Sequence, residues 1–293
     1  MSARPAVAVI VVNFNTSALV PRCVDTAAAD LGSREWHAIV VDNASTDGAV
    51  AALELLPRTT IVVNPRNAGF GSAVNQAVAR SDAPLLWLLN PDCQVHAGAF
   101  EALHATLEAH ADCAIAAPQL LNADGSVQAS ARGNPTAWTG LFGRHSLLSR
   151  IFPSAAVARR NLPARDLVES GVESAPVDWV MGAAMLIRRE MFDAVGGFDE
   201  DYFLYWEDAD LCRRLWQRGC STRYVPRARV THAGGASAKS DSPLAIRAFH
   251  RSAYRYYASH VVPSPWNPMR WMARAALAAR ASWRIARLPD RPR

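Results

Sequence analysis

The chain has 293 residues, of which 50% are hydrophobic and 19% charged, with 16 glycines and 18 prolines. This composition is typical of a globular protein and excludes collagen-like, low-complexity and wholly disordered chains. The formal net charge is +5, but from Pro265 onward seven arginines face one aspartate, a net of +6 that leaves −1 for the first 264 residues. We therefore expect no nucleic-acid-binding face on the body of the protein and an anionic partner for its tail.

The five cysteines are odd in number and never form a C-x-x-C pair, and no basic leader with an apolar segment precedes them. These features predict neither a disulfide framework nor a zinc site, and they favour the cytoplasm. No segment is apolar enough to predict a transmembrane helix.

The first 120 residues alternate short apolar runs with segments of helical pattern. The apolar runs are continuous, which is typical of parallel strands buried on both faces. We therefore predict an α/β fold with a mostly parallel sheet flanked by helices. The predicted strands are Val7–Val12, Ala38–Val41, Thr60–Val63, Leu85–Leu89 and Ala114–Ala117, and the predicted helices include Thr46–Leu56, Gly71–Ala79 and Gly98–His110.

Polar side chains follow four of these strands, where ligands bind in open α/β sheets. Asp42 could accept hydrogen bonds from a ribose hydroxyl or a base imide, and Asp92 could hold Mg²⁺ or Mn²⁺ together with two phosphates. Arg66 is available for a base or phosphate. The alternative for each is an ordinary strand-end turn or an exposed loop cation. The polar groups are Asn13, Asn15, Asp42, Asn43, Asn64, Arg66, Asn67, Asn90 and Asp92.

Two further segments are predicted to be turns or loops. The stretch 66–71 departs from a dinucleotide-binding fingerprint at Val74, where a third glycine would stand, and predicts a tight turn. The segment Ala129–Pro176 is predicted to be a long loop with a short helix. A second ordered block runs from about Val177 to Ala233.

A helix is predicted over Glu207–Gln217. It places Asp208 on the apolar face with Leu211, Cys212 and Leu215, and places Asp210, Arg213, Arg214 and Gln217 on the other face. Asp208 must therefore be paired, be protonated or face a pocket, and it is a candidate general base. The alternative is a buried structural salt bridge. His232, after a short strand-like run, is either a ligand of a metal or diphosphate or a core histidine.

The tail predicts two helices, one from Pro243 to Tyr257 with Ser242 as its cap and one over Pro268–Leu288. In the second helix most arginines share one arc, and Trp271, Met272, Trp283 and Ile285 lie opposite them. Leu277 and Leu288 fall on the arginine side, so the amphipathic pattern is incomplete. The pattern suits a helix lying on an anionic membrane surface. The alternative is a helix docked on the protein body.

Taken together, the motifs resemble glycosyltransferase family 2 enzymes of GT-A fold, and among them the bacterial rhamnosyltransferases. The resemblance covers about Ala6 to Ser237 through VIVVNFN, VVDNASTDG, NPRNAGFGSAVNQA, LLWLLNPDC, DWVMGAAMLIRREMFDAVGGFDEDYFLYWEDADLCRRLWQRG and VTHAGGAS. It implies a GT-A domain over residues 1–240, with a nucleotide-binding half (1–120) and an acceptor and catalytic half (177–240). Residues 241–293 would form a helical, membrane-associating extension.

The resemblance also implies roles for single residues. Asp208 would be the base, with Glu207 beside it, and Asp92 and His232 would hold Mg²⁺ or Mn²⁺. Asn90 stands where many members have an aspartate. The implied nucleotide-sugar-binding residues are Asn13, Asn15, Asp42, Arg66, Asn67, Asn90 and Asp92, and the implied acceptor-side residues are Trp179, Gly182 and Trp206.

The implied activity is an inverting transfer of a sugar, with L-rhamnose from a thymidine-diphosphate donor favoured, onto a lipid-linked or cell-surface glycan at the inner face of the cytoplasmic membrane. Alternatives are a UDP-hexose, UDP-N-acetylhexosamine or galactofuranose donor, or a catalytically silent glycan-binding module of the same fold. A sugar-nucleotide pyrophosphorylase would need a glycine-rich phosphate loop after the first strand, which Asn13-Phe-Asn15 lacks.

Overall fold

The computed structural model describes residues 6–48, 53–54, 56–133, 167–234 and 242–288. The strands in chain order are β1 (Val7–Asn13), β2 (Trp36–Asp42), β3 (Thr59–Val63), β4 (Leu85–Leu89), β5 (Cys93–Val95), β6 (Cys113–Leu121), β7 (Ala131–Arg132), β8 (Ala175–Val177), β9 (Trp179–Val180), β10 (Ala184–Arg188) and β11 (Ser221–His232). The helices are α1 (Val20–Leu31), α2 (Phe70–Val78), α3 (Ala99–Ala109), α4 (Arg189–Ala194), α5 (Glu207–Gln217), α6 (Pro243–Tyr256) and α7 (Pro268–Ala286), with a π-helical turn (Tyr257–Val261) directly after α6.

One sheet of nine strands forms the centre of the molecule. Its order is β3-β2-β1-β4-β10-β6-β11-β5, and β8 pairs with β11 outside this path. The pairs β3·β2, β2·β1, β1·β4 and β6·β11 are parallel. The α/β fold with a sheet flanked by helices is therefore confirmed, and all five predicted strands are present.

Two features of the sheet differ from the prediction. β10, which the pattern did not identify, lies between β4 and β6 and is antiparallel to both. Its apolar run does not reveal strand direction, since an antiparallel strand covered on both faces is also continuously apolar. β3 is an edge strand, so it is only partly covered, and Val63 is 56% exposed.

Helices cover both faces of the sheet because successive side chains of a strand point to opposite sides. Val7, Val9 and Val11 of β1 pack with buried residues of α1 and α3. Ala8, Ile10 and Val12 pack in the layer that contains α2 and α5. This arrangement leaves the carboxyl ends of the parallel strands open between the two layers.

The segment predicted as a long loop contains two short strands, β7 and β8. β7 pairs with β9 in a small second sheet. Residues 134–166 of that segment lie outside the described residues, and residues 167–169 are helical. Residues 49–52 and 55 of the predicted helix Thr46–Leu56 also lie outside the described residues.

The two tail helices are both present. Ser242 caps α6, where its Oγ accepts a hydrogen bond from Ala245 N at 3.1 Å. α7 packs against α6, and its buried residues are Ala273, Leu277 and Ala281. None of the described helices has the length and apolar character needed to span a bilayer.

Candidate active site

The first polar cluster joins the ends of β1 and β2. The parallel register places Asn13 beside Asp42, and both are buried. Asn13 Nδ2 donates to Asp42 Oδ1 at 2.7 Å, and the backbone N–H of Ser45 donates to Asp42 Oδ2 at 3.0 Å. The Asp42 carboxylate therefore holds two loops together, and its remaining lone pairs are what it can offer to a nucleotide.

The loops around this cluster are ordered by further polar contacts. Asn15 is exposed, has a φ of +55°, and accepts a hydrogen bond from Thr46 N at 2.7 Å through its Oδ1. Asn67 Oδ1 accepts from Gly69 N at 2.9 Å. Arg66 is exposed beside them, at the same edge of the sheet.

A second cluster lies at the end of β4, where Asn90-Pro91-Asp92 leads into β5. β5 is antiparallel to β11, and the register puts Cys93 opposite His232. Asp92 is 6% exposed and His232 is 8% exposed. Asp92 Oδ1 lies 3.4 Å from His232 Nε2, and Asp92 Oδ2 accepts from Gly234 N at 2.9 Å.

Gln128 fixes the orientation of the His232 ring. Its Nε2 donates to the His232 carbonyl at 2.7 Å, so its Oε1 faces His232 Nδ1 at 3.0 Å. The ring proton then lies on Nδ1, and the Nε2 lone pair faces Asp92. Burial lowers the pKa of His232, and the charge of Asp92 opposes that effect. The ring is therefore presented as a neutral ligand.

The same pair of side chains fits a divalent cation. Among the described residues no cluster of three or more His, Cys, Asp or Glu could hold a metal. Asp92 and His232 would contribute one oxygen and one nitrogen, and Mg²⁺ or Mn²⁺ commonly takes its other ligands from substrate phosphates and water. Asn90 Nδ2 lies 3.4 Å from His232 Nε2, so its amide presents a donor here.

The thiols of two cysteines lie beneath this loop. Cys23 Sγ donates to the Asn90 carbonyl at 3.3 Å, and Cys93 Sγ donates to the Ala183 carbonyl at 3.2 Å. Both cysteines are buried, and burial raises the pKa of both thiols.

The third cluster surrounds Asp208 at the start of α5. Asp208 Oδ2 accepts from the backbone N–H of Gly182 at 3.0 Å, and Oδ1 accepts from that of Ala209 at 2.8 Å. Burial raises the pKa of the Asp208 carboxyl, while the two N–H donors and the charge of Arg132 limit that rise. The contacts of Asp208 are those of an anchored, half-buried carboxylate.

Glu207 differs from its neighbour. Burial, and then the charge of Asp208, raise its pKa well above the ordinary value. Its Oε2 is buried and has no hydrogen-bond partner. Because Asp208 has hydrogen-bond donors and Glu207 Oε2 has none, Asp208 is the ionised member of the pair and Glu207 the neutral one.

Two consecutive residues connect the second and third clusters. Gly182 N donates to the Asp208 carboxylate, and the Ala183 carbonyl accepts from Asn90 N at 2.8 Å. The Asp208 carboxylate and the loop that carries Asp92 are thus held by neighbouring peptide groups. A Cβ at Gly182 would lie 3.4 Å from Asp208 Cβ, an ordinary van der Waals contact.

The two tryptophans predicted on the acceptor side pack near Asp208. Trp179 Nε1 donates to the Gly133 carbonyl at 3.0 Å, and the Arg132 guanidinium lies 5.1 Å from the centre of its ring. Trp206 directly precedes α5. Tyr205 and Trp206 have φ values of +67° and +71°, a backbone region that residues with side chains rarely adopt.

The glycines after β3 bring α2 close to the loop before α5. A Cβ at Gly69 would lie 2.6 Å from the Phe203 carbonyl oxygen, and a Cβ at Gly71 would lie 2.9 Å from Phe198 Cβ. Phe70 N donates to the same Phe203 carbonyl at 3.1 Å. These glycines therefore allow the close approach of a second loop.

One prediction about α5 is wrong. Asp210 was expected on the polar face, but it is 2% exposed. Its Oδ1 lies 2.7 Å from His260 Nε2, and its Oδ2 accepts from Arg214 Nε at 2.7 Å. The tail covers this face of α5, and the pattern within α5 contains no sign of a partner 50 residues away.

The contacts of several further residues of the site were not predicted from the sequence. Asn43 is 2% exposed, and its side chain contacts Gly69, Asn64 and Ala68. Asp47 accepts hydrogen bonds from the backbone and side chain of Ser17. The N-A-S-T-D motif after β2 was the only available sign of these contacts. No local sign pointed to Gln128 or His260.

Comparison with known proteins agrees with this geometry. A family model described as "Glycosyl transferase family 2" matches residues 8–161, and one described as "Glycosyl transferase family group 2" matches residues 150–290. The N-acetylglucosaminyl-diphospho-decaprenol L-rhamnosyltransferase of Mycobacterium tuberculosis (strain H37Rv) is 34% identical over 264 residues, which cover 85% of this chain and 83% of the relative. The rhamnosyltransferase WbbL of Escherichia coli (strain K12) is 40% identical over 99 residues, 34% of this chain and 38% of the relative.

Solved structures share the fold at low sequence identity. The mannosyltransferase PcManGT from Pyrobaculum calidifontis, in complex with GDP-Man and Mn²⁺, matches with a TM-score of 0.58 and 17% identity over 97% of this chain and 73% of its own. GalNAc-T7 with UDP, GalNAc and Mn²⁺ matches with a TM-score of 0.61 and 15% identity over 98% of this chain and 57% of its own. Both are glycosyltransferases of GT-A fold. With the family match and the extended similarity to a rhamnosyltransferase, these findings show that the chain belongs to glycosyltransferase family 2 and is a glycosyltransferase of GT-A fold.

Proposed function

We propose that this glycosyltransferase moves L-rhamnose from a thymidine-diphosphate donor onto a lipid-linked glycan precursor, with inversion at the anomeric carbon. The observation that carries the proposal is that Gly182 N–H donates to the Asp208 carboxylate while the carbonyl of the next residue, Ala183, accepts from Asn90 N in the loop that carries Asp92 to His232. A base and a diphosphate site so close together are what a direct displacement on a nucleotide sugar requires.

Asp208 acts as the general base. It takes the proton of the acceptor hydroxyl while that oxygen bonds to the anomeric carbon, and the bond from that carbon to the diphosphate breaks with its electron pair leaving on the phosphate oxygen. Since burial raises the pKa of Asp208, the transfer rate should fall as the pH is lowered through that raised value.

Asp92 and His232 hold the divalent cation and the diphosphate end of the donor. When bound, the cation supplies positive charge that stabilises the departing diphosphate. Gln128 keeps the His232 ring in the orientation that presents its Nε2 lone pair. The Mn²⁺ in the two solved structures of similar fold supports a divalent metal.

The nucleotide lies against the strand ends of β1, β2 and β3 in this proposal. Asn13 and Asp42 form the floor, and Asn15, Asn67 and Arg66 stand at the rim. The choice of L-rhamnose and of a polyprenyl diphosphate-linked acceptor rests on the relative from M. tuberculosis, whose name contains both. A UDP-sugar donor is the second candidate.

The donor is tested by isothermal titration with dTDP-L-rhamnose and with several UDP-sugars, each with and without Mg²⁺. We expect Mg²⁺-dependent binding of dTDP-L-rhamnose. A preference for a UDP-sugar would overturn the donor assignment and keep the reaction class, whereas no binding of any donor would overturn the proposed site.

Two variants test the residue roles, with transfer measured to N-acetylglucosaminyl-diphospho-polyprenol. Asp208→Asn should lower kcat by about 10²-fold or more while the donor Kd changes little. Asp92→Ala should abolish the Mg²⁺-dependent part of donor affinity. Glu35→Gln is the matched control, because Glu35 is exposed just before β2 at the opposite edge of the sheet. Unchanged turnover in Asp208→Asn would remove that residue from the mechanism.

The tail is proposed to attach the enzyme to the inner face of the cytoplasmic membrane, where a lipid-linked acceptor lies. α7 uses a narrow stripe of small residues to pack on α6, which leaves Trp271, Met272 and Trp283 at 61%, 63% and 55% exposed. At 100° per residue, the arc from Trp271 to Trp283 on the side away from α6 holds no charged residue. It consists of Trp271, Ser282, Ala275, Pro268, Ala286, Ala279, Met272 and Trp283.

On the same projection Arg280 and Arg274 flank the buried stripe of α7, and Arg284 and Arg270 fall between its buried residues, which explains why Leu277 lies among the arginines. An uncharged arc with tryptophans, bordered by arginines, suits an anionic lipid surface because the arginines can reach the headgroups while the rings enter the interface. The two alternatives for the tail thus combine, since the helix packs on the body along one stripe and keeps its aromatic side free.

Membrane attachment is tested by co-sedimentation with vesicles of phosphatidylcholine alone and with 30% phosphatidylglycerol, roughly matching an anionic leaflet. We expect binding to the anionic vesicles, and its loss when Trp271, Met272 and Trp283 are replaced by serine. Trp216→Ser is the control, because Trp216 is an equally exposed tryptophan on α5. Unchanged binding of the triple variant, or no binding of the unmodified chain, would overturn the attachment.

A further inference from the structure

The segment before α5 has a strained backbone that other parts of the chain must hold in place. Tyr205 and Trp206 are consecutive residues with positive φ, and Asp208 follows two residues later. Such conformations persist only where surrounding contacts stabilise them. The position of the Asp208 carboxylate therefore depends on what packs against residues 204–206.

These contacts come from α6. Ser252 Oγ donates to the Leu204 carbonyl at 2.9 Å. The Phe249 ring lies 5.8 Å from that of Tyr205 and 6.0 Å from that of Trp206. The Tyr256 ring lies 5.2 Å from that of Trp206.

A buried side-chain hydrogen bond connects the π-helical turn to α5 itself. His260 Nε2 lies 2.7 Å from Asp210 Oδ1, and the two side chains are 8% and 3% exposed. Asp210 is one turn after Trp206, and its N–H donates to the Trp206 carbonyl at 2.9 Å. The His260 ring packs at 4.8 Å from that of Tyr256. His260 therefore contacts both α5, through Asp210, and the aromatic cluster that surrounds Trp206.

We propose that His260 is a positioning residue for the catalytic base: through Asp210 and Tyr256 it holds the first turn of α5 and the Tyr205–Trp206 backbone in the conformation that aims Asp208. The proposal rests on the proposed role of Asp208. It makes α6 and the π-helical turn part of the catalytic unit.

A purely structural role for His260 predicts a loss of global stability without a loss of kcat, because a buried polar contact can stabilise the fold without affecting catalysis. The test therefore compares His260→Leu with His250→Leu. His250 is another buried histidine, 4% exposed, and it lies in α6. Its Nδ1 is bonded within its own helix, to the Ile246 carbonyl at 2.7 Å.

We expect His260→Leu to lower kcat by about tenfold or more with the donor Kd unchanged, since small displacements of reacting groups are costly. His260→Gln, which keeps an N–H donor near the position of Nε2, should restore most of kcat. His250→Leu should lose stability without a matching loss of kcat. An unchanged kcat in His260→Leu, or equal losses in both leucine variants, would overturn the proposal.

Two further measurements keep the test decisive. If His260→Leu does not fold, Ser252→Ala removes only the bond to the Leu204 carbonyl and should lower kcat severalfold with donor Kd unchanged; an unchanged kcat would count against the proposal. Amide hydrogen exchange over residues 204–209 should be faster in His260→Leu or Ser252→Ala than in His250→Leu. This readout needs no turnover, so it separates a failure of the positioning role from a failure of the proposed transfer reaction.

Discussion

Glu207 and Asp208 are adjacent carboxyl groups in different surroundings. Asp208 accepts two backbone hydrogen bonds, whereas Glu207 Oε2 is buried without a partner. The folded state therefore binds a proton on Glu207 more tightly than the unfolded state does. As a result, the free energy of unfolding should fall as the pH rises above the ordinary carboxyl pKa of 4.5 toward the raised value.

Glu207→Gln should remove this dependence, because the amide is a neutral isostere of the protonated acid. We expect the variant to match the unmodified protein near pH 4.5 and to exceed its free energy of unfolding at pH 8 by on the order of 1 kcal/mol or more. Urea unfolding at both pH values measures the difference. Parallel pH profiles for the two proteins would contradict it.

For single residues, the sequence predicts some contacts of the site and misses others. The strand-end rule correctly brought Asn13 and Asp42 together, because parallel strands end at one edge. Asp92 and His232 were paired through the family resemblance. Gln128 and His260 were not found, because each acts on a residue 104 or 50 positions away and nothing in its own neighbourhood differs from an ordinary polar side chain.

At the scale of elements, the predicted strands and helices were recovered where a single face or a continuous apolar run defines them. β10 was missed since its five residues join the sheet only after residues 122–183 have intervened, and a local pattern contains no information about that insertion. The burial of Asp210 was missed for the same reason, because α6 and the π-helical turn cover the second face of α5.

The approach of α2 to the loop before α5 gives a prediction at this scale. Gly69 has a φ of +90° and a close contact with the Phe203 carbonyl, while Gly98 has a φ of +81° and open space around it. Gly98→Ala should cost about 1–2 kcal/mol through its backbone conformation alone. Gly69→Ala should cost more and should also lower kcat, because the loop that precedes Asp208 must move. Chemical denaturation and transfer assays compare the two, and equal costs would contradict the role of the contact.

For the whole molecule, the two helices of the tail differ in how much they contact the rest of the protein. α7 buries only Ala273, Leu277 and Ala281, whereas α6 contacts the segment before α5. Deleting residues 264–293 should therefore lower the free energy of unfolding by no more than about 3 kcal/mol and should keep transfer to a water-soluble acceptor. Deleting residues 242–293 should abolish that transfer. Calorimetry and a soluble-acceptor assay measure both, and loss of transfer in the shorter deletion would contradict this division.

The two thiols beneath the Asn90–Asp92 loop provide a way to measure how often this loop opens. Cys23 and Cys93 are buried and protonated, so a disulfide reagent can modify them only when the loop and the Ala183 segment separate. In a Cys220→Ser background, Cys113 on β6 and Cys212 on α5, which are buried in the same layers, serve as internal controls. Donor with Mg²⁺ should slow the modification of Cys23 and Cys93 and leave that of Cys113 and Cys212 unchanged. The cysteines, which take no part in the chemistry, would thus record how often the diphosphate site opens.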